Sequence, residues 1–303
     1  MIIVGAGMAG LLAGNMLANR HGPTVVERSP TLPNNHSAVL RFRSSIVGDT
    51  LGIPFKKVNM VKTVSPWRNP VADSLAYAKK NTGFFRSDRS IMEGTVTGDR
   101  YIAPPDLIYQ MAGRFTGNIA LDTAADFAMP GPFISTIPMP VLMNLLGYPA
   151  DLQPSFGYAT ATHIKARIQL CDAYVSVLFP DPQFAFSRVS ITGDEIIVEA
   201  PSYVTDIEAR RALDKAAYAL GVGDYLVDDS VEIYKAQYAK ILPIDEAVRK
   251  DFIAWATDKH NVYSLGRYAT WRPKLLLDDL VNDVRLIERW LSSGSRYALN
   301  KHR

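Results

Sequence analysis

The chain has 303 residues, 48% of them hydrophobic, a single cysteine and a formal net charge of +3. That length holds one large domain or two smaller ones around a substantial core. The lone Cys171 excludes an internal disulfide, and without clustered His or Cys partners it excludes a metal site of the zinc type. No apolar run reaches the roughly 18–20 residues of a membrane span, and the first strand begins at residue 1 with no leader before it, so a cytoplasmic protein without a membrane partner is expected.

Residues 1–4 form an apolar run that enters Gly5-Ala6-Gly7-Met8-Ala9-Gly10 directly, and the glycines break any helical alternative, so the run is predicted to be a buried strand. In this G-x-G-x-x-G loop Gly5 permits the tight turn and Gly7 lets the backbone approach a pyrophosphate. Gly10, with Gly14 a turn later, lets the next helix lie close on the sheet. The start of that helix aims N–H groups at the anion. Met8, Leu11, Leu12 and Met16 recur at helical spacing, His21-Gly22-Pro23 turns the chain, and Thr24-Val25-Val26 forms a second strand ending in Glu27. This acid falls 22 residues after Gly5, the spacing at which a carboxylate reaches adenosine ribose hydroxyls. Strand, helix, second strand and terminal acid coincide, and dinucleotide binding is predicted. The motif alone does not separate NAD from FAD.

Residues 29–35 are a turn-rich loop, and residues 36–43 mix apolar and basic side chains, as if one face packs while the other meets phosphate or substrate. Residues 44–100 read as irregular, with one helix near 71–80, and are expected to cover the site. Residues 41–89 hold ten Lys and Arg against three Asp, interleaved with aromatics. Such a stretch either faces an anionic substrate or a nucleic-acid backbone, or is a solvated face balanced elsewhere. A helical pattern follows at 101–115 behind Pro104-Pro105, then strands at 118–121 and 133–138 return to a parallel sheet. From residue 159 the segments 162–170, 173–179, 184–191 and 195–199 alternate and are separated by turns, which predicts an antiparallel sheet. A helix at 206–220 and a strand at 231–242 complete it. The last strand, 261–267, runs into Gly266, and a helix is predicted from 274 to about 291, placing a second helix N-terminus at the ligand edge of the parallel sheet.

Three segments carry a resemblance: Gly5-Ala6-Gly7-Met8-Ala9-Gly10 with Glu27-Arg28, the strand Phe133-Ile134-Ser135-Thr136-Ile137-Pro138, and Ser264-Leu265-Gly266-Arg267-Tyr268-Ala269-Thr270-Trp271. Together the chain resembles the flavoprotein family that includes amine oxidases, protoporphyrinogen oxidase and UDP-galactopyranose mutase, and the last segment, before the terminal helix, favours FAD over NAD. The resemblance implies that Gly5, Ala6, Gly7, Met8, Ala9 and Gly10 hold pyrophosphate and Glu27, beside Arg28, the ribose. It implies further that Leu40, Arg41, Thr136, Gly266, Arg267, Lys274 and Leu275 serve the rest of the flavin. The implied fold is α/β: a Rossmann-type FAD-binding parallel sheet (1–45, 100–148 and 245–303) with a cap at 46–99 and an inserted, mainly antiparallel α+β substrate domain at 149–244. Two departures stand out. Arg28-Ser29-Pro30-Thr31 replaces the Arg-x-Gly-Gly common in amine oxidases, and Pro273 and Leu275 stand where the mutases carry a tyrosine and an aspartate.

A flavin brings the hard chemistry, so the protein needs to orient a C–H or C–N bond and set local charge, and no catalytic triad is expected. His36, Tyr234, Lys240, Tyr268 and Trp271 are candidates beside the ring, although an isolated polar or aromatic residue more often serves packing or its own hydrogen bond. Three functions are compared. One is an FAD-dependent oxidoreductase acting at the C–N bond of an anionic substrate, a nucleotide or a modified base in DNA. The second is a non-redox flavin enzyme of the mutase type acting on a sugar nucleotide. The third is a flavin-binding protein without turnover, or one whose basic face holds nucleic acid. The compact chain also suits the phage flavoenzymes of this family that act in thymine hypermodification, an analogy at the level of fold.

Overall fold

The computed structural model describes residues 1–33, 40–66, 68–86, 91 and 94–293. The chain opens with β1 (Ile2–Val4), α1 (Met8–His21), β2 (Thr24–Val26), β3 (Arg41–Phe42), α2 (Ile46–Leu51), β4 (Lys56–Val64), α3 (Pro70–Thr82) and β5 (Val96–Ile102). It continues with α4 (Leu107–Arg114), β6 (Asn118–Ala120), β7 (Phe133–Ser135), α5 (Met139–Leu146), β8 (Tyr158–Ile168), β9 (Ala173–Leu178), β10 (Arg188–Gly193) and β11 (Glu195–Ala200). The last elements are α6 (Asp206–Ala219), β12 (Leu226–Ile241), α7 (Glu246–His260), β13 (Val262–Ser264) and α8 (Leu277–Ser293).

The first sheet has the order β13-β7-β1-β2-β6, with every pair parallel. Its central strands are apolar on both faces, as a sheet covered by helices on either side requires. Ile3, Phe133, Ile134 and Val262 are fully buried, and the core continues through Leu11, Leu12 and Leu17 of α1 and Val281, Val284 and Ile287 of α8. The second sheet has the order β12-β8-β11-β10-β9-β4-β5-β3 and is antiparallel except between β4 and β9. One of its faces is apolar: Ile164, Val177, Val189, Ile196 and Val198 pack against Ala209, Leu213 and Ala216 of α6. Residues at odd offsets from these point to the opposite face. That face carries His163, Ser176, Arg188, Ser190 and Glu199, and it is polar yet largely buried.

The mixed α/β architecture, a parallel sheet with a second and mainly antiparallel one, is the fold predicted from sequence. Several local expectations need correction. Residues 44–100 are not irregular: β4 and β5 pair across seven registered residues, and β4 continues the second sheet by pairing with β9. The period-2 pattern of Val58, Met60 and Val64 was masked by the lysines between them. Residues 101–102 end β5 rather than beginning a helix, and α4 starts at Leu107, after the prolines. β10 starts at Arg188, not at 184, and α8 starts at Leu277, three residues later than expected, because residues 272–276 turn before the helix can begin. Among the described residues no helix is long and apolar enough to cross a membrane.

Helix N-termini differ in how they are capped, and α2, α4 and α5 start without a side-chain cap hydrogen bond. Asn69 caps α3, Thr205 and Glu208 form a reciprocal capping box on α6, and Asp245 caps α7. α1 instead starts at Gly7 with no side-chain cap and no acid in its first turn, so its leading N–H groups have no side chain of their own to bind.

Candidate functional site

The loop between β1 and α1 is shaped by what its glycines exclude. Gly5 adopts φ +101°, and a Cβ there would stand 2.2 Å from Thr136 Oγ1. A Cβ on Gly10 would stand 1.9 Å from the carbonyl oxygen of Gly5, so the first turn of α1 can cross the end of β1 only without a side chain. At Gly7 a Cβ would meet nothing within 4 Å, although the residue lines a cavity. Gly5 and Gly10 serve the fold, and Gly7 serves open space. The Glu27 carboxylate accepts hydrogen bonds from the N–H groups of Ala6 at 2.9 Å and Ser29 at 3.0 Å, tying the glycine loop to the end of β2.

The cavity, about 420 Å³, lies at the C-terminal ends of β1, β7 and β13, the edge at which open parallel sheets bind ligands. Gly7, Met8 and Ala9 form one wall, and Gly266, Arg267 and Tyr268 form another. Gly266 has φ +102°, and a Cβ on it would lie 3.3 Å from that of Ala9, so the two loops close on each other through glycine. Leu40 and Arg41, Thr136, and Leu275 complete the set of expected cofactor residues that line it. Ala6 is fully buried behind the loop and Arg28 is exposed. Neither they nor Gly5, Gly10, Glu27 and Lys274 line the cavity. Phe42, Leu265, Leu276, Leu277 and Leu280 line it too and were not anticipated. The last two belong to the first turn of α8, so a second helix N-terminus borders the cavity.

These walls fit a dinucleotide whose far half is a flat, mostly apolar ring. An uncapped helix start and a glycine with free space in front of it suit pyrophosphate, and the apolar volume suits a ring system.

Of the expected catalytic residues only Tyr268 lines this cavity; its hydroxyl donates to the carbonyl oxygen of Tyr238 at 2.9 Å. Trp271 is not beside it: 1% exposed, it donates its indole N–H to the carbonyl oxygen of Leu242 at 2.9 Å and packs edge-on against Phe156 and Tyr238. With Lys274 it borders a neighbouring cavity of about 440 Å³ that also contains Arg249 and Arg272. Tyr234 sits on the second sheet with its hydroxyl bonded to the carboxylate of Glu232, which pushes it up to about 12. Lys240 places Nζ 3.9 Å from Glu199 Oε2. His36 lies outside the described residues. Among the described residues the structure thus brings Tyr268 to the cavity and places Trp271, Tyr234 and Lys240 away from its lining.

Sequence reasoning missed the polar face of the second sheet. Arg188 and Glu199, opposite one another on β10 and β11, form an ion pair, with Nε to Oε1 at 2.6 Å. Burial alone would raise the Glu199 carboxyl, but the charges of Arg188, Lys240 and His163 outweigh it and hold the group at about 2. The alternation of apolar and polar residues along β8, β10 and β11 was the available signal. The basic stretch 41–89 also divides. Lys57 pairs with Asp99 at 2.7 Å, and Lys56 with Asp172 at 3.6 Å. Arg68 pairs with Asp73 and Asp181, while Lys80 donates to the carbonyl oxygens of Phe179, Asp181 and Phe186. Much of the basic excess read from sequence is thus consumed inside the fold.

No family model matches this chain, and no curated protein does. Solved structures match it in fold. Reduced UDP-galactopyranose mutase is 12% identical with a TM-score of 0.72, over 99% of this chain and 95% of that one. Glycine oxidase from Bacillus cereus ATCC 14579 is 12% identical with a TM-score of 0.58, over 99% and 96%. Aklavinone-11 hydroxylase, in a ternary complex with FAD and aklavinone, is 13% identical with a TM-score of 0.51, over 96% and 62%. These likenesses lend no support to thymine hypermodification. They show that the chain has the fold of FAD-binding flavoenzymes, which agrees with the cofactor expected from its motifs.

Proposed function

We propose that the protein binds FAD and is an oxidoreductase acting at the C–N bond of a small anionic amine. The observation that carries this reading is the cavity itself: an apolar volume between the N-termini of α1 and α8, with Arg41 at its border with the polar face of the second sheet.

Bound FAD supplies a two-electron acceptor at its ring; everything else falls to this chain. Gly7, Met8 and Ala9, at the start of α1, would hold the pyrophosphate through N–H groups and the helix dipole. Glu27, which holds the loop through Ala6 and Ser29, would accept from the adenosine ribose. Leu276, Leu277 and Leu280 make their part of the cavity wall apolar and would keep water from a bound ring. Among the described residues no carboxylate or histidine lines the cavity, so no side chain there is placed to act as a general base. Amine oxidation does not require one if the substrate arrives as the neutral amine, whose nitrogen lone pair assists departure of hydride from the adjacent carbon. Arg41, which lines the cavity, favours that neutral form, because like charge lowers the pKa of an ammonium.

Support comes from the fold shared with glycine oxidase and from the cationic border of the cavity. The test is anaerobic mixing of the flavin-loaded protein with amino acids, polyamines, phosphorylated amines, nucleotides, sugar nucleotides and amine-modified DNA. Bleaching of the flavin by an amine supports the proposal. Turnover of a sugar nucleotide only after prior reduction of the flavin would replace it with chemistry of the mutase type.

A further inference from the structure

The registers of the second sheet bring basic residues from distant parts of the sequence to one face. Arg188 lies across from Leu178 and Glu199, Lys62 across from Ser176, Arg100 across from Val58, and Arg41 across from Ile102. Counting in twos along each strand puts all four cations on the polar face, on β10, β4, β5 and β3.

Their partners are unequal. Arg188 is neutralised by Glu199, which Lys240 also serves. Lys62 is half-buried and, among the described residues, makes neither a hydrogen bond nor an ion pair; the charges acting on it are those of Arg100, Arg41, Arg188 and Arg43. The Arg41 guanidinium makes one hydrogen bond, to the thioether of Met60 at 2.9 Å, and no ion pair with a carboxylate among the described residues. Arg100 donates to a backbone carbonyl, that of Asp99. Among the described residues none of these three cations forms an ion pair with a carboxylate, although the charge of Glu199 acts on Arg41. Withdrawing such groups from water beside one another opposes folding, and a protein keeps the arrangement where a ligand compensates it.

We infer that Arg41, Lys62 and Arg100, with Arg188 behind them, form the subsite for a phosphoryl group of the substrate, on the polar face of the second sheet beside the cavity. A monocarboxylate would leave most of the positive charge uncompensated, whereas a phosphate carries about two negative charges and three acceptor oxygens, and guanidinium groups match its geometry. The subsite adjoins the cavity through Arg41, which lines both. The substrate class is therefore a phosphorylated amine. Burial, followed by the charges of Arg100, Arg41, Arg188 and Arg43, pushes Lys62 down to about 8, and burial followed by Arg188 pushes Arg41 down to about 10 against the opposing pull of Glu199.

This inference rests on the cofactor reading for the location of the cavity, and its test separates the two. The flavin-loaded protein is titrated with inorganic phosphate and pyrophosphate by calorimetry and thermal unfolding, with acetate at equal ionic strength as control. Phosphate or pyrophosphate should bind and raise Tm, and acetate should not. Lys62→Met and Arg100→Gln should each weaken that binding at least tenfold, leave flavin content unchanged and raise Tm of the anion-free protein, since each removes repulsion. Variants that lose flavin instead would show that these cations serve the cofactor's own phosphates and would overturn the inference. So would binding that is unaltered by both substitutions, or acetate binding as well as phosphate. A protein that takes up no flavin yet binds pyrophosphate through Lys62 would keep the subsite and refute the cofactor reading.

Discussion

Gly7→Ala separates cofactor binding from folding. Gly7 has φ −75° and ψ −179°, a conformation alanine adopts readily, and its Cβ would meet nothing within 4 Å. The flavin-free variant should therefore be as stable as the parent, or more stable by up to about 1 kcal/mol through its less flexible unfolded chain. The same methyl would occupy space where pyrophosphate approaches the start of α1. Displacing the phosphates forfeits one or two charge-assisted hydrogen bonds at about 1.5–3 kcal/mol each, so FAD affinity should fall roughly 10–10⁴-fold. Gly10→Ala makes the contrast. Its Cβ would lie 1.9 Å from one backbone atom and 3.1 Å from another, so strand or helix must shift, at a cost of about 3 kcal/mol. Thermal unfolding of the flavin-free proteins and titration of FAD by fluorescence quenching measure both quantities. If Gly7→Ala bound FAD like the parent, or lost as much stability as Gly10→Ala, the cavity in front of Gly7 would not be the pyrophosphate site.

Glu27→Ala removes both the acceptor for ribose and the acceptor for the Ala6 and Ser29 N–H groups; FAD binding should weaken by about 1–3 kcal/mol, and unchanged affinity in the same titration would exclude Glu27 from the site. Lys80→Met strands three carbonyl oxygens, at 2.9, 2.8 and 2.6 Å from Nζ, that join α3 to the β9–β10 connection. It should cost about 2–4 kcal/mol in chemical unfolding, and a smaller loss than about 1 kcal/mol would mean the amine is replaceable by water. Glu199 is held near 2 against an ordinary 4.5, so the stability it contributes is present above pH 4.5 and disappears as pH falls through 2. The contribution is on the order of 3 kcal/mol; stability of Glu199→Gln measured from pH 5 to pH 2 should lose that part of the slope, and an identical slope would contradict the pairing.

What the sequence made legible was local. The glycine loop, its flanking strands, Glu27 and the late Gly266-Arg267 turn each announce themselves through short-range geometry, and the cavity forms where they meet. The cationic face was illegible for the opposite reason. Arg188 and Lys62 are far apart in the chain and become neighbours only through strand order, including the parallel pairing of β4 with β9. β4 itself was overlooked because Lys56, Lys57 and Lys62 concealed its alternation. Trp271 was singled out as an aromatic next to a recognised motif; its indole N–H is committed to Leu242 and its ring is buried outside the cavity lining, a placement set by packing that the motif does not encode.

Whether the chain binds FAD is decided by the visible spectrum of the purified protein and of the supernatant after heat denaturation. A yellow protein that releases about one equivalent of fluorescent FAD per chain, with no covalently retained flavin in the pellet, is expected. A colourless protein that stays colourless after incubation with FAD, and binds NAD instead, would contradict it.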